Sequence, residues 1–352
     1  MQPIADDHSP RRRVAASPRL LQSRSFWFGR ILRVAVVTTT ALNWGCVFIT
    51  GNLDPFSRQA KPLSEHVIAG EGRPKILLVD IARVISAEPE EGTLGLTRRE
   101  SVVARLESEL RLAAEDDKVK GVIVRINSPG GTVTASDIIY DRITRFKAEH
   151  QVPVVAQLMD VAASGGYYVA LAADEIIAHP TTVTGSVGVI FQGISLEGLL
   201  DKLGVRNQAI KTGDKKDIGS PLRIMTAEER ALIGAILNDM QLRFLGLVRQ
   251  RRTTLTPDGE RLIADGRILS ASQALELGLI DRIGYLDDAI ERTKALAHVP
   301  EARVVIYRRP EESAETVYAR AATSAAPQIN LVNVDFNGLL KSPEFLYLWM
   351  PQ

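Results

Sequence analysis

From Lys75 onward the apolar and polar positions fall into short and long blocks that alternate along the chain. KILLVDIARVI (75–85) is a nearly continuous apolar run with β-branched residues, and it predicts a buried strand. TRRESVVARLESELRLAAEDD (97–117) instead has helical spacing, with Val103, Leu106, Leu110 and Ala113 on one face. The alternation continues through strand-like VKGVIVRIN (119–127), helical TASDIIYDRITRFKAE (134–149) and strand-like VPVVAQLM (152–159). A short helix over 166–173 and strands over 175–179 and 186–191 follow. Strands alternating with helices imply stacked βαβ units and a mainly parallel sheet, an α/β fold.

The later part is more helical. Thr226 with Glu229 forms a capping box ahead of RALIGAILNDMQLRFLGLVRQRR, and Ser270 with Gln273 repeats the device before ALELG. Gly278 fits a helix C-terminal cap. Residues 310–328 read as loosely ordered. The final PEFLYLWMPQ is unexpectedly apolar for a tail, and it should dock on this fold or on a neighbouring subunit, as structural packing or as a mimic of a peptide substrate. No repeat of fixed period is visible.

The amino-terminal pattern is different. Residues 1–33 carry seven arginines against Asp6 and Asp7, and VAVVTTTALNWGCVFIT (34–50) then runs for 17 uncharged residues. At 1.5 Å per residue that helix is roughly 25 Å long, the short end of a membrane span. It reads as a single anchor; a cleaved signal peptide and a buried helix are the competing readings. Arginines before the span favour a cytoplasmic amino terminus, with residues 51–352 on the far side. Composition narrows the rest. A net charge of +1 gives no support for a nucleic-acid partner. The single cysteine, Cys46, excludes an internal disulfide and a multi-cysteine zinc site, and Asn43-Trp44-Gly45 before it is a poor lipidation signal. The five histidines are scattered, with no HExxH pattern, so a metal site has little support.

Three stretches carry chemistry. INSPGGTV (126–133) ends a strand on a sharp Pro129-Gly130-Gly131 turn, where backbone can approach a ligand and N–H groups can face a developing oxyanion. A plain βα turn is the bland reading. ASGG (163–166) puts Ser164 between a strand and a helix start, where peptide N–H groups favour negative charge. A helix-capping serine is the bland reading there. KTGDKKDIGSPLRIMT (211–226) holds Lys211, Lys215 and Lys216 between glycines, which by itself reads as a solvated surface. A hydroxyl nucleophile needs a base, and no histidine lies in or beside these stretches; a neutral lysine can replace one. An ordinary lysine would have to be depressed by about 2–4 pKa units, roughly 3–5 kcal/mol of desolvation and like-charge effect.

NSPGG, ASGGYY, TGSVGVI, KDIGSPLRIMT and ADGRILSASQALELGLIDRIG (264–284), in that order, resemble the signal peptide peptidase family of serine proteases, in its single-domain, membrane-anchored bacterial form. The resemblance covers about residues 74–295. It implies a crotonase-like, Clp protease-related fold of βαβ units that hydrolyses peptides through a Ser–Lys dyad. Ser164 maps onto the nucleophile, Lys216 onto the general base and Ser186 onto the group that orients the lysine. Gly131 and Gly165 map onto the oxyanion hole, and Pro129, Gly130 and Gly166 onto the substrate-facing turns. Lys215 beside Lys216 leaves the base open by one residue, with the KDIGSP match favouring Lys216. Ser128 would shape the oxyanion turn, Ser136 would sit as a cap or on the helix surface, and Asp160 and Asp174 would act in turns or caps.

The resemblance implies peptide substrates, especially remnant signal peptides, no metal or organic cofactor, and a homo-oligomer whose active sites are shared between subunits. The expected layout is a basic cytoplasmic segment (1–33), an anchor (34–50) in the inner membrane of a bacterial cell, a linker (51–73), a peptidase domain (74–300) on the extracytoplasmic side, and a carboxy-terminal extension (301–352). Two other functions compete: a crotonase-type acyl-CoA enzyme, and a catalytically silent membrane scaffold of the same fold.

Overall fold

The computed structural model describes residues 61–91, 98–310, 312, 318 and 345–349. The basic segment 1–33, the anchor 34–50, the first part of the linker and most of the extension 301–352 lie outside the described residues.

In chain order the elements are β1 (Ser64–Ala69), β2 (Lys75–Ala82), β3 (Glu90–Glu91), β4 (Arg98–Arg99), α1 (Val102–Ala114), β5 (Val119–Ser128) and β6 (Gly130–Thr132). Next come α2 (Val133–His150), β7 (Val154–Ala163), α3 (Gly165–Ala170), β8 (Glu175–Ala178), β9 (Val183–Gly185), β10 (Ile190–Phe191) and α4 (Glu197–Lys202). The chain continues through α5 (Ala227–Arg251), α6 (Pro257–Ile263), β11 (Ile268–Ser270), α7 (Ala271–Glu276), β12 (Arg282–Ile283), α8 (Leu286–Leu296), β13 (Arg303–Arg308) and β14 (Phe345–Leu348).

The main sheet runs β1-β13-β2-β5-β7-β8-β12, with β9 and β11 joined to it through β7. β13, β2, β5, β7, β8 and β12 are mutually parallel, and β1 and β11 pair antiparallel to their neighbours, so the sheet is mixed. β2-α1-β5 and β5-α2-β7 are the βαβ units that the sequence pattern predicts. Side chains on β2 alternate between two cores. Leu77, Val79 and Ile81 join the larger one with α1, α2 and α3. Ile76 and Leu78 face the other side and pack with Leu286, Ala289 and Ile290 of α8. A strand buried on both faces has no polar side, which is why it reads as a continuous apolar run.

Three expectations are corrected. Residues 64–69, read as linker, form an edge strand on β13. The extension read as starting at 301 contains β13, which lies between β1 and β2 inside the sheet. Of the strand expected over 186–191 only β10 at 190–191 forms, because β9 ends at Gly185 and Ser186, with a φ of 52°, leaves the ladder. Both capping boxes form, at Thr226–Glu229 and Ser270–Gln273, and Gly278 follows α7 with a φ of +74°. α5 is, by length and composition, the one helix among the described residues apolar enough to cross a membrane; its Phe244, Leu245 and Val248 are buried in the main core.

Candidate active site

The glycine turn is built against Ile85. Ile85 N–H donates to Gly130 O at 2.7 Å and Thr132 N–H donates to Ile85 O at 2.9 Å, so β6 is pinned along one edge. A side chain at Gly131 would collide with the Ile85 carbonyl. Ser128 Oγ donates to Arg83 O and accepts from Gly130 N–H at 3.1 Å, so it shapes the turn as the sequence predicts. These bonds engage the Gly130 amide and leave the Gly131 amide on the opposite edge. Gly130, at φ +110°, takes a conformation that suits only glycine.

Ser164 leaves β7 one residue beyond the pair Ala163↔Gly185, and its N–H donates to Gly185 O at 2.8 Å. Its φ of 52° and ψ of −114° lie outside the ordinary regions for an L-residue, at a cost of about 1–3 kcal/mol. The capping role expected of a serine here is absent: Ser164 makes no side-chain cap bond to α3. Its hydroxyl has only a long 3.5 Å contact with Gly188 O, and the residue is 1% exposed. α3 has six residues, so what it offers is unpaired first-turn N–H groups, Gly165 among them, rather than a long macrodipole. Ser186 leaves β9 in the same way one position after Gly185, also at φ 52°, and is buried.

The small residues answer a packing demand. A side chain at Gly165 would strike Ser136 Oγ, and it would come within 3.1 Å of Gly131 N. One at Gly166 would lie 2.8 Å from Ser128 O. Ser136 is therefore not a surface helix residue: it is fully buried beneath Gly165, with its hydroxyl donating to Thr132 O at 3.0 Å. That contact joins two segments nearly thirty residues apart in sequence, and local spacing carries no signal for it. Asp160 accepts from Asn127 Nδ2 at 2.7 Å and Asp174 accepts from Val154 N–H at 2.8 Å, which are structural roles.

The fold thus gathers Ser164, Ser186, Gly131, Gly165, Pro129, Gly130 and Gly166 at the ends of β5, β7 and β9. Lys216 makes no hydrogen bond to any of them. Lys216 is exposed in the segment 203–226, and no hydrogen bond joins its amine to Ser164. The surrounding loop is braced. Arg223 bridges Asp217 and Glu229 at 2.6 Å each, and Lys211 reaches Asp217 at 2.8 Å. These hydrogen bonds, from Arg223 first and Lys211 second, hold the Asp217 carboxyl well below its usual range. Lys215 is engaged by Glu228. Lys216 is the lysine of the cluster whose amine has no partner among the described residues.

A cleft runs between β6 and β10, and β14 fills it antiparallel to both. Tyr347 pairs with Gly131 and is fully buried. Its ring stacks on Tyr168 at 5.2 Å and meets Phe244 at 4.9 Å, while its hydroxyl donates to Met240 O at 2.9 Å. Phe345 meets Phe191 of β10 at 5.4 Å. Beside β10 opens a cavity of about 510 Å³ lined by Phe191, Ile194, Ile224, Ile233 and Leu237 among others.

Comparison with known proteins places Ser164, Ser186, Lys216 and the glycine turns in matched regions. A family model described as peptidase family S49 matches residues 147–300, and one described as Clp protease matches residues 93–184. An Enterococcus faecium protein assigned as signal peptide peptidase SppA is 35% identical over 244 residues, 69% of this chain and 70% of that protein. A Synechocystis protein assigned as a protease is 38% identical over 213 residues, 60% of this chain and 74% of its own length. Protease 4 of Salmonella typhi is 33% identical over 201 residues, 57% of this chain and 32% of that one.

Proposed function

This chain belongs to peptidase family S49, has an α/β fold of the Clp protease kind and is a serine peptidase, and from that premise we propose that Ser164 is its nucleophile and Lys216 its general base. The observation that carries the reading is Ser164 itself: a buried, strained serine that makes no cap bond and stands beside the Gly131 and Gly165 amides. A hydroxyl held at that backbone cost, with no structural bond in return, is what a nucleophile requires.

In this mechanism neutral Lys216 takes the Ser164 hydroxyl proton as Oγ bonds to a peptide carbonyl carbon. The Gly131 and Gly165 N–H groups receive the oxyanion. Lys216 then protonates the leaving amine as the C–N bond breaks, and later takes a proton from the water that hydrolyses the acyl-enzyme. Ser186, leaving the neighbouring strand at the same level, orients the lysine. Gly130 keeps the floor of the cleft free of a side chain, and Pro129 and Gly166 shape the turns beside it.

Lys216 reaches Ser164 from a neighbouring subunit. Its exposure supports this, as do the apolar side chains left exposed on the same part of the chain, including Ile194, Leu199, Leu203, Val205, Leu232 and Ile236. Residues 34–50 anchor the chain in the inner membrane of a bacterial cell, with the catalytic part on the extracytoplasmic side. The substrates are short apolar peptides near that membrane, remnant signal peptides among them; the aromatic and aliphatic walls of the cleft and of the cavity beside β10 suit them.

The test is hydrolysis of fluorogenic apolar peptides by the full chain in detergent. Ser164→Ala and Lys216→Ala each lower kcat on the order of 10³-fold or more, while Lys215→Ala retains activity. Loss with Lys215→Ala and retention with Lys216→Ala would move the base by one residue, and activity in Ser164→Ala would end the proposal.

A further inference from the structure

We infer that Thr184 is a positioning residue of the peptidase site: its buried hydroxyl fixes β9 against β7 and so holds Ser186 level with Ser164, where Ser186 orients Lys216. The inference rests on the dyad reading above and adds a residue that acts through Ser186 rather than on substrate.

The seam between these strands is narrow. β9 and β11 form an antiparallel pair, and among the described residues that pair joins the rest of the main sheet through β7. The join consists of Val161↔Val183, Ala162↔Thr184 and Ala163↔Gly185. Each strand then turns out of the ladder at a serine with φ 52°, Ser164 after β7 and Ser186 after β9. The Ser186 N–H donates to Arg267 O at 2.7 Å, which ties that serine to the residue entering β11. The level of Ser186 relative to Ser164 therefore depends on how firmly β9 is fastened to β7. One fastening is the Ser164 N–H bond to Gly185 O at 2.8 Å.

Two side-chain hydroxyls reinforce it. Thr184 is fully buried, and its Oγ1 donates to Ala162 O at 2.6 Å. Thr182 is also buried, and its Oγ1 donates to Leu158 O at 3.1 Å and to Met159 O at 2.6 Å. Valine would fill either place without desolvating a hydroxyl, so the bond to β7 is what each buried threonine contributes. Position separates the two. Ala162, which receives the Thr184 bond, also pairs with Ser128 of β5. Ser128, Ala162 and Thr184 thus form one row across β5, β7 and β9, immediately before the glycine turn, Ser164 and Ser186. At strand rise, Thr184 lies about 7 Å and Thr182 about 13 Å along the chain from Ser186. Losing the nearer tie lets the β9–β11 pair drift from β7 at the serine end, and losing the farther one leaves that end held. A shift of about an ångström misplaces the hydrogen-bond partner of the lysine, with its cost in the chemical step rather than in binding.

The experiment uses the full chain in detergent with fluorogenic apolar peptides. Thr184→Val keeps the shape and removes the bond; it is expected to lower kcat about tenfold or more with KM changed less than about twofold. Thr184→Ser keeps the hydroxyl and should stay within about threefold of the parent's kcat. Thr182→Val is the comparison for a purely structural hydroxyl: it should lower Tm by a similar amount and leave kcat within about twofold. The effect should pass through Ser186, so Ser186→Ala lowers kcat and adding Thr184→Val lowers it by less than about a further twofold. If Thr184→Val does not fold, Thr184→Ala carries the same comparisons. Parental kcat in Thr184→Val or in Ser186→Ala, an equal fall in Thr182→Val, or fully additive losses in the double variant would overturn the inference. Failure of the dyad reading is distinguishable, because it shows as turnover by Ser164→Ala.

Discussion

At the scale of single residues the site is a set of close approaches that only small side chains permit. Gly165 faces Ser136 Oγ, Gly166 faces Ser128 O and Gly131 faces Ile85 O. Gly165→Ala should cost activity about 100-fold, because moving the α3 amide by an ångström misplaces the proposed oxyanion donors. Adding Ser136→Ala removes the hydroxyl that the new methyl meets, and should recover part of that loss. Peptidase rates for the two singles and the double measure the coupling; simple additivity would contradict the packing account. The glycines were legible in the sequence as a backbone-entropy cost at a helix start, and the structure gives that cost a packing reason in the close approach of Ser136 and Ser128. The partnership of Ser136 with Gly165 was not, since a serine early in a helix has the same local pattern whether it caps, faces water or supports a turn from below.

At the scale of elements, the strands buried on both faces were readable and those at edges or far along the chain were not. β2, β5 and β7 are near-continuous apolar runs because a core lies on each side of them. β1 has mostly exposed side chains, so SEHVIA looks like linker until β13 is found beside it. RVVIYR of β13 has strand character, yet its place between β1 and β2 depends on a return across the whole domain that periodicity does not encode. The capping boxes were readable because both partners lie three residues apart. The loop bearing Lys216 is an element in its own right, held by Arg223 between Asp217 and Glu229. Arg223→Ala should lower peptidase activity by about 10–100-fold by letting that loop drift, with a small change in Tm, and Arg223→Lys should recover only part of it. A large fall in Tm with kcat intact would contradict this, and would make the bracket a stability device instead.

At the scale of the whole molecule, the chain carries both halves of the proposed dyad, and no hydrogen bond joins them. Ser164 is buried at the end of β7, Lys216 is exposed on the segment between α4 and α5, and the apolar side chains around that segment are uncovered. A head-to-tail ring of identical chains resolves all three observations, since each subunit would lend its lysine to the next and cover the exposed surface in doing so. The measurement that tests this most directly is complementation. Ser164→Ala and Lys216→Ala chains, each inactive, are dissociated, mixed in equal amounts and reassembled, and peptide hydrolysis is measured. If the dyad forms between subunits, about one site in four receives an intact serine from one chain and an intact lysine from the next, and activity returns to about a quarter of the parent's. A mixture that stays inactive, from chains shown to co-assemble, would contradict the account.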